Sequence, residues 1–571
     1  MKTDMLHGGQ ILAKALKQEG VEKVFTLAGD HTMAMYYGLV EEGIEVVDFR
    51  HESAAVLAAN GYSRATGKPG VAIVTAGPGA ANAFGGFMDC VQGDLPVLVI
   101  SGGAPVAGNL TGCMQEYDFI PTYRGLGKWA ERVYKTDRIA DYVHIAFRHM
   151  TAGAMEPAFL EIPYDVLYDI APAACAESRG RTRLNDPIPG NPETVKEAAK
   201  IIAEAKRPVL VVGREARFYP SNAEYIGKLA EYKLMPVYNM WESQGMYGDE
   251  AADPRNLIGP MATGGADLFV LVNVNPDYMY TSMLPPAWNA EAKTINIHVN
   301  PKLIGFNHPF DVGIVGTPGD VCKQIYEEVT GLCEHSTDDS FLKEVFALAQ
   351  QYGIPKEALE DPSVPINPKR ACNDLKMWLY GHRDWGMVTE GGDAPATMSG
   401  MAFTAPGQFV FESRFGGIGT GIPMAIGAYY GHGRKTLLVT GDGSFGFYMG
   451  ELTTAINKNV PLVIAVLNDS CWGMIKGMEY GIHGDVLGRF DDKDIALALP
   501  ENCRYDKICE ALGGYGELVT DPAEILPALA RADASGKVAV INIITADITT
   551  PGTMGPATAG YCVEFGPMVK F

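Results

Sequence analysis

No CxxC pair occurs among the ten cysteines, which are scattered along the 571 residues. Neither a zinc site nor a disulfide framework is indicated, and a reduced, cytoplasmic protein is the expectation. Basic residues are in short supply: 46 Lys and Arg stand against 68 Asp and Glu, a formal net charge of -22. Such a balance argues against nucleic acid or an anionic membrane as partner and favours solubility. No apolar run reaches the roughly 20 residues that a membrane helix needs. The opening residues Met1-Lys2-Thr3-Asp4-Met5 lack a signal-peptide pattern. No short repeat is visible.

What is present is a long, glycine-rich, apolar chain. A hydrophobic fraction of 47% and 66 glycines suit tightly packed α/β layers. The length corresponds to about three or four domains. Near the end of the chain, Thr436-Leu437-Leu438-Val439-Thr440 reads as a buried strand. Gly441-Asp442-Gly443-Ser444 follows as a turn, and Met449-Gly450-Glu451-Leu452-Thr453-Thr454-Ala455 reads as a helix. A second buried strand, Pro461 to Leu467, then ends at Asn468-Asp469. In a parallel sheet both polar loops open at the carboxyl ends of neighbouring strands. Two glycines there let a phosphate approach backbone amides at a helix start. Asp442 and Asp469 offer the hard oxygen ligands that Mg²⁺ on a diphosphate requires. An ordinary α/β turn containing the same three residues is the competing reading.

The first part of the chain alternates in the same way. His7 to Gly20 reads as an amphipathic helix ending at glycine. Strands follow at Val24–Leu27, Val46–Phe49, Val71–Thr75 and Pro96–Ile100, with a helix around Met33–Glu42. Arg50-His51-Glu52 opens another helix, and the strand to Thr75 feeds Ala76-Gly77-Pro78-Gly79-Ala80-Ala81-Asn82. Taken alone, Glu52 reads as a carboxylate placed at a helix N-terminus by the dipole. A dinucleotide fingerprint at Gly77-x-Gly79 is weak, because Asn82 stands where the third glycine belongs and no ribose-binding acid is evident. Residues 172 to 190 read as a linker. A second α/β unit then carries strands at Pro208–Val212, Met235–Tyr238, Leu268–Val272 and Thr294–His298. A polar stretch near 334 to 368 reads as a second linker. The third unit starts around Lys369, and its tail from Thr550 to Phe571 is expected to be irregular.

GDGS followed by Asn468-Asp469, together with RHE and TAGPGAAN, resembles thiamine diphosphate (ThDP) enzymes of the acetohydroxyacid synthase and benzaldehyde lyase superfamily. The resemblance covers nearly the whole chain. It implies an α/β protein of three doubly wound parallel-sheet domains: pyrimidine-binding over 1–172, central over 190–335, diphosphate-binding over 369–549. It implies Mg²⁺ held by Asp442, Asp469 and the Cys471 carbonyl, with Asp469 standing where the family carries Asn. Cofactor contacts would come from Glu52, Thr75, Asn82, Gly392, Asp393, Gly416, Ile418, Gly441, Asp442, Gly443, Ser444, Asp469, Cys471, Trp472, Gly473 and Met474. In the family the glutamate at the Glu52 position hydrogen-bonds N1′ of the aminopyrimidine and drives its imino tautomer, which forms the ylide. Family sites lie between subunits, so a homodimer or homotetramer is expected. The central domain binds FAD or ADP in some members. Gly213-Arg214-Glu215 is no strong nucleotide loop, and FAD is not expected here.

The substrate must be read from positions facing the reactive carbon. Gly29-Asp30-His31 resembles benzaldehyde lyase-type carboligases, which carry a His in that loop. Gln115 matches an active-site glutamine of both groups, and Lys128-Trp129-Ala130-Glu131-Arg132-Val133 also looks like the lyase. His31 could move protons at a hydroxyketone oxygen and Gln115 could hydrogen-bond it. A plain loop residue is the competing reading for each. The segment Met474 to Tyr480 lacks the Trp with which acetohydroxyacid synthases select a second ketoacid. The tail's single lysine, Lys570, is a poor nucleotide lid for a 2-hydroxyacyl-CoA lyase. The expectation is a ThDP- and Mg²⁺-dependent lyase or carboligase acting on small carbonyl compounds, 2-hydroxyketones and aldehydes. The alternatives are an acetolactate synthase-like enzyme condensing 2-ketoacids, a 2-hydroxyacyl-CoA lyase, or a ThDP-fold binding subunit without catalysis.

Overall fold

Buried, β-branched runs separated by glycine turns build three six-stranded sheets. The computed structural model describes residues 4–554, apart from 178, 179, 185, 240–242, 247–255, 258–264, 286, 287, 352, 353, 393, 399, 400, 402, 413, 488 and 502. The first sheet runs, in spatial order, Glu45–Asp48, Lys23–Thr26, Gly70–Val74, Val97–Gly103, Ala158–Pro163 and Trp129–Arg132, with every neighbouring pair parallel. The third runs Phe409–Phe411, Gly386–Thr389, Thr436–Gly441, Leu462–Asn468, Ala539–Ile544 and Tyr515–Val519. Numbered along the chain, both follow the order 2-1-3-4-6-5. The likeness of first and third units therefore lies in topology, with little shared residue identity. The central sheet runs Asn256–Leu257, Val237–Asn239, Pro208–Val212, Leu268–Val272, Lys293–His298 and Val312–Val315, an order of 3-2-1-4-5-6. Inner strands such as Val97–Gly103 and Leu268–Val272 are buried at every residue, as parallel strands covered on both faces must be.

Three expectations change. The helix after Gly441 starts at once, at Asp442–Tyr448. Beyond it, the expected helix from Met449 is a 3₁₀ turn, Met449–Glu451, then an α-helix, Leu452–Asn457; Gly446 and Gly450 weaken continuity there. The stretch read as a linker near 334 to 368 holds helices Ser340–Gln351 and Lys356–Leu359. Phe341 and Val345, one turn apart, bury in a core with Val209 and Trp288. The stretch carries Phe341, Leu342, Val345, Phe346 and Leu348 at helical spacing, a period set between polar flanks. In the tail, residues 551–553 form a turn and 555–571 lie outside the described residues.

Internal contacts divide the chain into two compact units. One holds Met1–Asn185 with Glu412–Arg434 and Phe445–Leu462; the other holds Asp186–Phe411, Lys435–Ser444 and Val463–Phe571. The first unit thus takes in helix Gly421–His432 from late in the chain. It packs on helix Glu52–Thr66, and both are buried along most of their length. The backbones almost touch: a Cβ on Gly427 would lie 2.0 Å from the Ala58 carbonyl oxygen, and one on Gly61 2.3 Å from that of Met424. Gly427→Leu should therefore destabilise the fold by about 3 kcal/mol or more, the overpacking cost when only backbone can yield. A thermal melt of the variant at wild-type Tm would contradict this packing.

The second unit carries a pH liability. His298 is buried in the central sheet. The Asn300 N–H donates to its Nδ1 at 2.9 Å, so the ring proton sits on Nε2, 3.0 Å from Asn275 Oδ1. Burial pushes its pKa from 6.5 down to about 3. The unfolded chain then takes up a proton near pH 6.5 that the folded chain refuses until near pH 3. Stability should hold above the unfolded value and fall as pH drops through that window, at about 1.4 kcal/mol per pH unit. Urea midpoints across this range should fall less steeply in His298→Leu than in the wild type.

Candidate active site

The first unit gathers one set of the expected residues. His51 caps the helix with Nδ1 accepting from the Ser53 N–H at 3.1 Å, and Glu52 is its first residue. Glu52 is buried, and Asn82 Nδ2 donates to its Oε2 at 3.1 Å. Ser53 Oγ donates to the Asn82 carbonyl, fixing the two loops against each other. Thr75 directly follows strand Gly70–Val74 and is buried, and its Oγ1 reaches Gln115 Oε1 at 3.5 Å. A side chain at Gly29 would strike Thr75 and one at Gly77 (φ +55) would strike Gln115, so these loops close tightly on glycine. Gln115 itself has a left-handed backbone, φ 61. Gly416 (φ +67) and half-buried Ile418 fall in this same unit.

His31 sits in a 3₁₀ turn, Asp30–Thr32, and is 5% exposed. Its Nδ1 is buried without a hydrogen-bond partner among the described residues. Burial lowers its pKa, opposed by Asp30 and by the backbone of Met114. The Tyr164 ring meets it edge-on at 5.8 Å, and a Cβ on Gly102 would lie 2.5 Å from that of His31. A neutral, closely packed imidazole with one open nitrogen is a ready proton donor or acceptor.

Two residues here escaped the sequence. Glu451 accepts the backbone N–H groups of Arg50 (2.9 and 3.1 Å) and His51 (3.1 Å), and holds the chain entering the Glu52 helix. Thr454 Oγ1 donates to it at 2.8 Å. A separation of 401 residues from Arg50 leaves no local signal. Tyr164 simply follows the strand Ala158–Pro163, and nothing near it in sequence marks it.

The second unit gathers the diphosphate-type loops. Strand Thr436–Gly441 passes directly into the helix at Asp442, and strand Leu462–Asn468 ends at Asp469. Asp442 joins both loops: Oδ1 accepts the Gly443 N–H at 2.9 Å and Oδ2 the Ser470 N–H at 3.0 Å. Asp469 Oδ1 accepts the Cys471 N–H at 3.2 Å. Burial, then the charge of Asp469, pushes Asp442 up to about 7; burial likewise pushes Asp469 up to about 6. A buried and a half-buried carboxylate repelling each other are a donor set that a divalent cation satisfies, so the residues fit the expected metal. Among the described residues no cluster of three or more His, Cys, Asp and Glu side chains could hold a metal.

The backbone around these acids is bare. Gly391 and Gly392 have φ of +69 and +65, and a Cβ on Gly391 would lie 2.2 Å from Ser444 Oγ. Trp472 lies against Gly443, where a Cβ would be 2.6 Å from its ring, and a Cβ on Gly473 would be 2.4 Å from Asp469 Oδ2. Gly441 and Met474 are half-buried beside them, while Cys471 is buried and bridged to Ala498. Asp393 lies outside the described residues.

Three family models match this chain in order: the thiamine pyrophosphate enzyme N-terminal TPP binding domain over 6–121, the central domain over 195–325, and the C-terminal TPP binding domain over 391–543. The chain belongs to the thiamine pyrophosphate enzymes. Within this family it is similar over nearly its full length to proteins of two names. A probable acetolactate synthase of Mycobacterium bovis is 29% identical over 556 residues, 95% of this chain and 96% of the relative. A probable acetolactate synthase large subunit of Methanocaldococcus jannaschii is 26% identical, covering 94% and 92%. A 2-hydroxyacyl-CoA lyase of Arabidopsis thaliana is 26% identical, covering 94% and 95%. The protein is accordingly a ThDP-dependent enzyme of carbon–carbon bond chemistry, of the acetohydroxyacid synthase superfamily. Among the described residues no helix is long and apolar enough to cross a membrane.

Proposed function

We propose that this ThDP enzyme is a Mg²⁺-dependent lyase or carboligase that cleaves or forms the carbon–carbon bond of 2-hydroxyketones, taking aldehydes as products or partners. The observation that carries the reading is His31, buried with an open nitrogen and packed against the backbone of the loop that presents Gln115. When bound, ThDP supplies a nucleophilic carbon and an electron sink next to the substrate carbonyl. Glu52, fixed by Asn82, holds the proton that activates the aminopyrimidine. Asp442 and Asp469, with the Cys471 carbonyl, hold the metal; Gly441, Gly443, Ser444, Trp472 and Gly473 line the diphosphate. Thr75, Gly392, Asp393, Gly416 and Ile418 seat the rings, and Met474 borders the pocket. His31 takes or gives the hydroxyl proton, and Gln115 orients the same oxygen.

The same reading assigns domains of 1–172, 190–335 and 369–549, no flavin in the central domain, and a cytoplasmic homodimer or homotetramer whose subunits complete each other's sites. The names of the relatives favour 2-ketoacid condensation or 2-hydroxyacyl-CoA cleavage as second readings. A substrate panel of 2-ketoacids, hydroxyketones and 2-hydroxyacyl-CoAs, read by mass spectrometry, separates the three. In the hydroxyketone reaction, His31→Ala should lower the cleavage rate by roughly 10² to 10⁴ with ThDP affinity unchanged. Gln115→Ala should lose less, about 1–3 kcal/mol for a buried hydrogen bond. Normal turnover in the His31 variant sinks the lyase assignment.

A further inference from the structure

Lys476 lies in the first turn of helix Gly473–Leu487, four residues past Trp472, whose carbonyl accepts its N–H at 2.9 Å. The helix start abuts Asp469 through Gly473. The Lys476 ammonium bonds two further carboxylates, Asp492 at 2.6 Å and Asp547 at 2.5 Å. Both belong to segments folded onto this end of the third sheet. From the Asp492 segment, Leu497 O accepts the Trp472 N–H at 2.9 Å and the Leu499 N–H donates to Ser470 O at 2.8 Å. Asp547 Oδ1 accepts from the N–H of Thr549 at 2.8 Å, and the Asp547 carbonyl from that of Thr550 at 2.9 Å. Four carboxylates thus belong to one set of linked loops: Asp442, Asp469, Asp492 and Asp547. One cation, Lys476, stands within 4 Å of any of them among the ion pairs of the described residues.

We infer that Lys476 is a charge-compensating, positioning residue of the diphosphate half-site: shared between Asp492 and Asp547, it halves their combined charge so that loops already carrying Asp442 and Asp469 can accept an anionic diphosphate. The inference rests on the ThDP assignment and concerns affinity, not the chemical step. A divalent ion offsets only the two carboxylates it binds. Without the ammonium, Asp492 and Asp547 leave an uncompensated negative field at the helix start, and a diphosphate is repelled while the bare cation is not.

The test is calorimetric titration of ThDP, in excess Mg²⁺, into the full-length wild type and three variants whose melting temperatures are checked first. Lys476→Met should bind ThDP about tenfold more weakly, and the deficit should shrink in high salt, where charge is screened. Lys476→Arg should bind as the wild type does. Adding Asp469→Asn to Lys476→Met should restore part of the lost affinity by removing one of the opposing charges. Equal ThDP affinity in Lys476→Met and wild type overturns the inference. So does a deficit that ignores salt and survives Asp469→Asn, which would make Lys476 a structural tie only. A wild type that itself binds no ThDP fails earlier, at the cofactor assignment.

Discussion

Glu52→Gln should leave an enzyme that still binds ThDP and Mg²⁺ and turns over at least 10²-fold more slowly, the loss expected on removing a positioned acid–base group. The amide keeps the size of the side chain and its place at the helix start, with Asn82 still within hydrogen-bond reach of an oxygen. What it cannot do is hold and return a proton. Deuterium exchange at the reactive carbon of bound cofactor, followed by NMR, isolates this from substrate effects. Exchange at the wild-type rate would remove Glu52 from its role. The residue's surroundings make the variant a clean one: Glu451 ties the preceding backbone, and His51 caps the helix independently of the Glu52 carboxylate.

The second large effect belongs to Asp442. Asp442→Ala should abolish metal-dependent ThDP binding, beyond what a titration to millimolar cofactor can reach. On the proposed reading the substitution removes a metal ligand, and it removes both hydrogen bonds that join the Gly443 and Ser470 loops. Asp442→Asn separates the two losses. It keeps one of the two acceptor oxygens and lacks the anion, so it should lose one loop bond rather than two, hold its fold better than the alanine variant, and still bind Mg²⁺ and ThDP poorly. Unchanged affinity in the alanine variant, measured by calorimetry with and without EDTA, would place the diphosphate elsewhere.

Much of this arrangement was legible because it is local. Strand runs such as Leu268–Val272, the glycine turns, and the placement of Asp442 and Asp469 at adjacent strand ends all follow from a few neighbouring residues. The nearly identical reading of helix Met33–Glu41 has the same origin. What could not be read is long-range. Nothing near Gly427 announces the Ala58 carbonyl, and nothing near Glu451 announces Arg50. Nothing near Lys476 announces Asp492 and Asp547, 16 and 71 residues on. The helices at 340–359 were missed for another reason: the stretch was read by its polar flanks, although Phe341, Leu342, Val345, Phe346 and Leu348 repeat at helical spacing.

The clasp of Glu451 on the entry to the Glu52 helix has a consequence for synthesis. During translation the helix carrying Glu52 emerges 401 residues before its partner. At roughly 5–20 residues per second, that is a wait of about 20–80 s. Throughout it, the face of Glu52–Thr66 later covered by Gly421–His432 stays open to water and to other nascent chains. The chain's most vulnerable moment is therefore on the ribosome, and its yield in a cell should depend on holdase chaperones more than its finished stability would suggest.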